Sequence, residues 1–101
     1  MVNLSPRDTE TIGDTMEETK ERHRRYLRAI ENPKRRELLS LLKQREATLK
    51  SLSESTGMDE RTLKWHMEFL EYGYCVVRNI NDGQIFYRIT EEGRVVDYIG
   101  V

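Results

Sequence analysis

Three glycines, Gly57, Gly73 and Gly83, cut the second half of this chain into short segments whose apolar patterns differ too much to belong to one element. Before Gly57 runs a short amphipathic stretch, about Lys50 to Thr56, with Leu49 and Leu52 on its inner side. Gly57 suits the left-handed turn that ends a helix. Asp59 is a good helix cap, and from Glu60 to about Tyr72 the residues Leu63, Met67 and Leu70 recur at i, i+4 and i+7, one narrow helical face with His66 beside it. Gly73 is expected to stop this helix. Tyr74 to Ile80 and Gln84 to Ile89 then alternate with the period of a strand, and Asp82-Gly83 between them is a hairpin signal, because both residues tolerate positive φ.

Upstream, residues 1–13 are polar, contain Pro6 and Gly13 and show no apolar period, so they are expected to form a mobile arm before a domain spanning 14–101. Asp14 and Thr15 are each followed three residues later by a glutamate (Glu17 and Glu18), the spacing of a capping box. From there Met16, Thr19, His23, Tyr26 or Leu27, and Ile30 recur at helical spacing. That is thin apolar cover for a helix of this length, which points to a partner chain. Asn32-Pro33 pairs a capping residue with one pre-set for the first helical position, predicting a helix from Pro33 to about Gln44 with Leu38, Leu39, Leu41 and Leu42 inward. Ala47-Thr48-Leu49 reads as a short extended link. Thr90 is placed to cap a last helix through Ile99, with Val95, Val96 and Ile99 available for packing. The result is a mainly α chain with a small β-hairpin (α+β). Two short helices meet at the tight turn Gly57-Met58-Asp59, and a hairpin follows directly, which is the layout of a winged helix-turn-helix.

Bulk properties narrow the function. With 101 residues, 37% apolar and 35% charged, the chain makes one domain with a lean core and a highly charged surface. No apolar run approaches the roughly 18 residues of a membrane span, and no N-terminal stretch has the layout of a signal peptide. Cys75 is the single cysteine, which excludes a disulfide framework and a cysteine-cluster metal site. A cytoplasmic protein is expected. No nucleophile–base pair, metal set or phosphate loop is present, so neither enzymatic activity nor a cofactor is expected. The net charge of −1 gives no overall basic footprint, but the charge is polarised. Residues 1–19 hold one basic residue and five acids, whereas 20–36 hold eight basic residues against Glu21 and Glu31, so a local positive face can exist on a neutral protein.

Several stretches carry a family resemblance: Tyr26-Leu27-Arg28-Ala29-Ile30, Asn32-Pro33-Lys34-Arg35-Arg36-Glu37-Leu38-Leu39, Leu52 to Gly57, Arg61-Thr62-Leu63-Lys64-Trp65-His66-Met67 and Ile85-Phe86-Tyr87-Arg88-Ile89-Thr90. In this order and spacing, residues 26–96 resemble winged helix-turn-helix transcriptional regulators of the ArsR type, and Ile89 to Arg94 is also similar to small archaeal winged-helix proteins. The resemblance implies a regulator that binds double-stranded DNA. It does not extend to metal sensing. The third helix reads Ser51-Leu52-Ser53-Glu54-Ser55 without a cysteine pair, the last helix has no histidine, and the isolated His23 and His66 make no metal site. The helix ending at Gly73 also reaches its glycine about one residue earlier than the family pattern, which leaves the aim of the first wing strand open.

On this reading the helix 60–72 is the recognition helix. Arg61, Trp65, Glu68 and Tyr72 lie opposite its apolar face, flanked by Thr62 and Lys64. Arg61 suits a guanine, Lys64 a phosphate or guanine, and Trp65 either a thymine methyl or the packing of the first helix or a partner chain. Arg78, Asn79, Asn81, Gln84 and Arg88 are the wing's candidates for the backbone or minor groove, and the helix starting at Pro33 is expected to offer its amides, Lys34 and Arg35 to a phosphate. Operators are usually read by two recognition helices, so a homodimer is expected, with Met16, His23, Tyr26, Leu27, Ile30, Val95 and Ile99 at its contact. His66 reads as a satisfied core-edge histidine and Cys75 as a small buried hydrophobe. The near-neutral charge and the acids Glu60, Glu68 and Glu71 support a rival reading, a protein-interaction module without nucleic acid.

Overall fold

The computed structural model describes residues 15–96. The order is α1 (Met16–Ile30), α2 (Pro33–Leu42), α3 (Leu49–Thr56), α4 (Glu60–Tyr72), β1 (Val76–Asn81), β2 (Gln84–Ile89) and α5 (Glu91–Arg94). The expected N-terminal arm and Ile99 lie outside the described residues.

Each helix starts where a side chain can take its orphan amides. Thr15 Oγ1 accepts from the Glu18 amide at 3.0 Å. Thr48 Oγ1 accepts from Ser51 at 3.1 Å, and Thr90 Oγ1 from Gly93 at 3.2 Å. Arg36 reaches back to the end of α1, where its Nη1 donates to the Ile30 and Glu31 carbonyls at 2.8 and 3.1 Å, a cation on the negative end of the helix dipole. The turn between α3 and α4 is locked from inside. Gly57 takes φ +78°, Ser53 Oγ donates to the Met58 carbonyl at 2.6 Å, and the Met58 amide donates to Thr56 Oγ1 at 3.2 Å.

The strands pair antiparallel from Val76↔Ile89 to Asn81↔Gln84, closed by Asp82 and Gly83 at φ 51° and 76°. Positive φ at both central residues matches the right-handed twist of the strands. The link before α3 adds a bridge to this hairpin: Ala47 and Tyr87 exchange backbone hydrogen bonds of 3.1 and 2.8 Å. That bridge ties the wing to the helices.

The core gathers Ala29 and Ile30 of α1, Leu38, Leu39 and Leu42 of α2, Leu52 of α3, and Leu63, Met67 and Leu70 of α4. Cys75, Val76, Tyr87, Ile89 and Val96 close it from the other side. Leu41, expected inside, is only partly buried against it. Ile30 is fully buried in this core, so it is withdrawn from the expected dimer contact.

Two boundaries differ from expectation: the last helix stops at Arg94, with Val95 already its cap, short of the expected Ile99, and the start of the first strand is shifted. The first strand starts at Val76 rather than Tyr74, because Tyr74 takes the left-handed conformation (φ 66°) and Cys75 donates back to the Leu70 carbonyl at 2.8 Å. The left-handed residue that ends α4 is therefore Tyr74, while Gly73 keeps φ −90°. Gly73 serves a different need. A Cβ there would lie 2.5 Å from the Ala29 Cβ and 2.8 Å from the Arg25 carbonyl, so the glycine is what lets α1 press against the end of α4.

Gly73→Ala should accordingly destabilise the fold by about 1–3 kcal/mol, the usual penalty of overpacking, with no backbone strain to blame. Urea unfolding would measure it, and an unchanged midpoint would show that α1 does not depend on this contact.

Candidate nucleic-acid interface

Helix α4 presents two opposite faces. Leu63, Met67 and Leu70 are fully buried, and Arg61, Thr62, Lys64, Trp65, Glu68 and Tyr72 are exposed, as the spacing predicts. Asp59 holds the start of this helix through both carboxylate oxygens: Oδ1 accepts from the Thr62 amide at 2.9 Å and Oδ2 from the Thr62 hydroxyl at 3.0 Å. These bonds, the amide first, keep the Asp59 carboxyl below the usual carboxylate range. They also commit the Thr62 proton, which leaves Arg61 and Lys64 as the unencumbered donors. Neither is in an ion pair among the described residues.

Trp65 is 52% exposed and packs edge-on against Phe69 (centroids 4.8 Å apart) and His66 (5.0 Å) of its own helix. His66 is buried and keeps an unpartnered Nδ1 among the described residues. Burial, reinforced by the Arg35 charge, holds its pKa below the ordinary histidine value. Among the described residues no group of three His, Cys, Asp or Glu could hold a metal ion.

The start of α2 departs from expectation. Arg35 is 5% exposed. Its guanidinium stacks 4.2 Å over the Phe69 ring, lies 5.6 Å from Trp65, and donates to the Arg28 carbonyl at 3.3 Å. It packs α2 against α4 and is not available to a phosphate as read from the sequence. The amides are also taken. Asn32 Oδ1 accepts from Lys34 and Arg35 at 2.8 and 3.3 Å, and Pro33 has none to give. A strong cap and an anion compete for the same donors, and the cap holds them here. Lys34 alone remains on the surface, 3.9 Å from Glu37.

In the wing, the register places Asn79, Asn81, Gln84 and Arg88 on one face, all exposed, with Asn81 and Gln84 paired at the tip. Arg78 points to the opposite face and is ion-paired with Glu71 of α4 at 2.9 Å. That pairing has no sign in the sequence, since seven residues and a change of element separate the partners. Arg25 stacking 4.2 Å over Tyr72, and Arg22 3.7 Å over Tyr74, were equally invisible. Such contacts have no local signature.

On α1, Met16 (73% exposed), His23 and Leu27 (40%) fall along one side, and Val95 (42%) is exposed beyond α5. Tyr26 is half-buried and donates its hydroxyl to the Glu92 carbonyl at 3.0 Å. A groove of about 350 Å³ opens there, lined by His23, Tyr26, Tyr74 and Val95 among others.

Two titrations follow. Burial pushes the Cys75 thiol up to about 12, so iodoacetamide at pH 8 should label it only as fast as the chain unfolds; rapid labelling with helical content intact would refute this. For His66 the unfolded chain binds a proton that the folded chain disfavours. Its contribution to stability is thus full above the ordinary histidine pKa and declines as pH falls through it toward the lower folded value. Urea midpoints in acid should drop less steeply for His66→Gln than for the parent.

No protein-family model matches this chain, and no curated protein does. Solved structures do. The homodimeric winged helix-turn-helix DNA-binding domain of Mb0332 from Mycobacterium bovis, a possible ArsR-family transcriptional regulator, is 24% identical over 98% of this chain and 86% of that one, with a TM-score of 0.72. NolR from Sinorhizobium fredii is 23% identical over 98% and 93% of the two chains, TM-score 0.69. HlyU from Vibrio cholerae is 22% identical over 83% and 94%, TM-score 0.69. Element order, the locked turn and the paired hairpin agree with these likenesses: the chain folds as a winged helix-turn-helix domain, with α3 and α4 as the helix-turn-helix and β1–β2 as the wing.

Proposed function

We propose that this protein is a transcriptional regulator of the ArsR type that binds double-stranded DNA as a homodimer in the cytoplasm. Helix α4 enters the major groove with Arg61 and Lys64 leading and Trp65 behind them, and the wing lays Asn81, Gln84 and Arg88 along the backbone or minor groove. The observation that carries this reading is the exposed first half of α4, whose two cations, Arg61 and Lys64, are in no ion pair among the described residues. It is supported by the structural neighbours, one of them a homodimeric DNA-binding domain. Lys34 contributes from the rim, Thr62 as an acceptor, and Arg78 only by releasing Glu71. Such an exposed ion pair holds by about 0–1 kcal/mol. The dimer contact uses Met16, His23, Leu27 and Val95, with Tyr26 at its edge and Ile99 as the sequence suggests.

The exposure of Trp65 and Tyr72 (52% and 59%) favours one rival, a protein-interaction module. Salt separates the two. Selection of bound sequences from random duplex DNA should enrich a motif whose binding weakens steeply as salt rises. Arg61→Ala should weaken that binding by roughly 1–3 kcal/mol and relax sequence preference. Absence of any salt-sensitive duplex binding would reject the DNA reading, and a chain that sediments as a monomer at high concentration would reject the dimer.

A further inference from the structure

Helix α1 carries an arginine face that the recognition reading leaves unused. Arg24 and Arg28, one turn apart, border a groove of about 420 Å³ whose other wall is Phe69 and Tyr72 of α4. Phe69 and Tyr72 also line the next hollow, with Trp65 and Glu68, and these two in turn line a third with Arg61, Thr62 and Lys64. One continuous trough therefore joins the leading cations of α4 to the middle of α1.

We propose that Arg28, assisted by Arg24, grips the sugar-phosphate backbone of the same duplex on the flank of α4 away from the wing. The inference rests on α4 being the recognition helix and adds a second, opposite clamp to it.

Geometry supports this. Packed helices lie about 8–10 Å apart axis to axis, and the major groove is about 12 Å wide, so a helix packed beside one in the groove stands over the phosphate ridge. The contact of Gly73 with Ala29 holds α1 at that close range. Charge supports it too. Arg28 is exposed and belongs to no ion pair among the described residues. Beneath it lies Arg35, 5% exposed, with Nε unpartnered and no carboxylate in ion-pair range among the described residues. Burial works against the Arg35 charge, Glu31 partly offsets it, and the repulsion of Arg28 adds a smaller cost. A buried cation backed by a second unpaired cation leaves a local positive potential that an anion at the surface would balance. Arg24 is held by Glu21 at 2.7 Å, but both groups are exposed and such a pair opens easily. Arg25 is already spent, since it donates to the Tyr74 hydroxyl at 3.1 Å and stacks on Tyr72. The trough's rings favour this flank for a backbone as well, because the apolar sugar edges meet Tyr72 while the phosphates meet Arg28.

The test is duplex binding by the full chain, read by fluorescence anisotropy at several salt concentrations, for the parent, Arg24→Ala, Arg28→Ala and the double variant. Both side chains are exposed, and helical content by circular dichroism confirms folding. Each lost phosphate contact should lower the slope of log K against log salt by about 0.9 per bound protomer, and should weaken specific and random duplexes by the same factor. Arg28→Glu should weaken both further. If the parent binds with a steep slope that none of the variants changes, the α1 clamp is wrong while the recognition reading stands. If the parent binds no duplex, both fall. If poly-glutamate binds in its place, in a manner that Arg28→Ala abolishes, the trough belongs to an acidic protein partner and the clamp is overturned.

Discussion

The burial of Leu63, Met67 and Leu70 along one side of α4 is the constraint on which everything else in this protein depends. Water is excluded from all three side chains, and each fully buried aliphatic side chain contributes roughly 1.5–3 kcal/mol. The stripe is narrow, so the rest of the circumference of α4 is free for a ligand. Because it is also anchored at both ends, the exposed residues cannot roll. Asp59 holds the first turn, and Gly73 against Ala29 holds the last. The direction in which Arg61 and Lys64 point is thus a consequence of packing on the far side of the helix.

Helix capping shapes the surface in a second way. An N-terminus can offer its amides to a phosphate only if no side chain has taken them. Asn32 takes those of α2, and Asp59 takes the Thr62 amide of α4 while adding a negative charge. The helices gain definition from these caps, and the protein gives up two ready anion sites. Attraction for an anion then falls to side-chain cations, and several of these are engaged. Arg36 closes α1, Arg25 stacks on Tyr72, Arg35 is buried under Phe69 and Trp65, and Arg78 is paired with Glu71. Among the cations in no ion pair of the described residues, Arg61, Lys64, Arg28 and Arg88 lie on α4, its α1 flank and the wing. A chain with a net charge of −1 can present a positive face in this way because its charges are sorted in space.

The elements of the fold were legible in the sequence because each is declared locally. Asn32-Pro33, Asp59 and Thr90 begin helices, Gly57 ends one, and Asp82-Gly83 turns the hairpin; all these signals act over two to four residues, and the structure follows them. Helical period alone separated the buried from the exposed side of α4, whereas only the register of the hairpin put Asn81, Gln84 and Arg88 on one face of the wing and Arg78 on the other. The exposed candidates on α4 needed nothing beyond that period.

What the tertiary structure decided is which of the candidate groups are free. Arg35 and Ile30 lay on stretches that suggested surface roles, and both are interior, because α1, α2 and α4 converge there and leave no solvent between them. Gly73 looked like a helix stop. Its reason is a neighbour 44 residues earlier in the chain, and the stop itself belongs to Tyr74. Local sequence determines caps, turns and the sidedness of each element, since these depend on near neighbours along the chain. The availability of a charge, the fit of one helix against another and the trough between α1 and α4 depend on residues distant in sequence, and only packing brings those together.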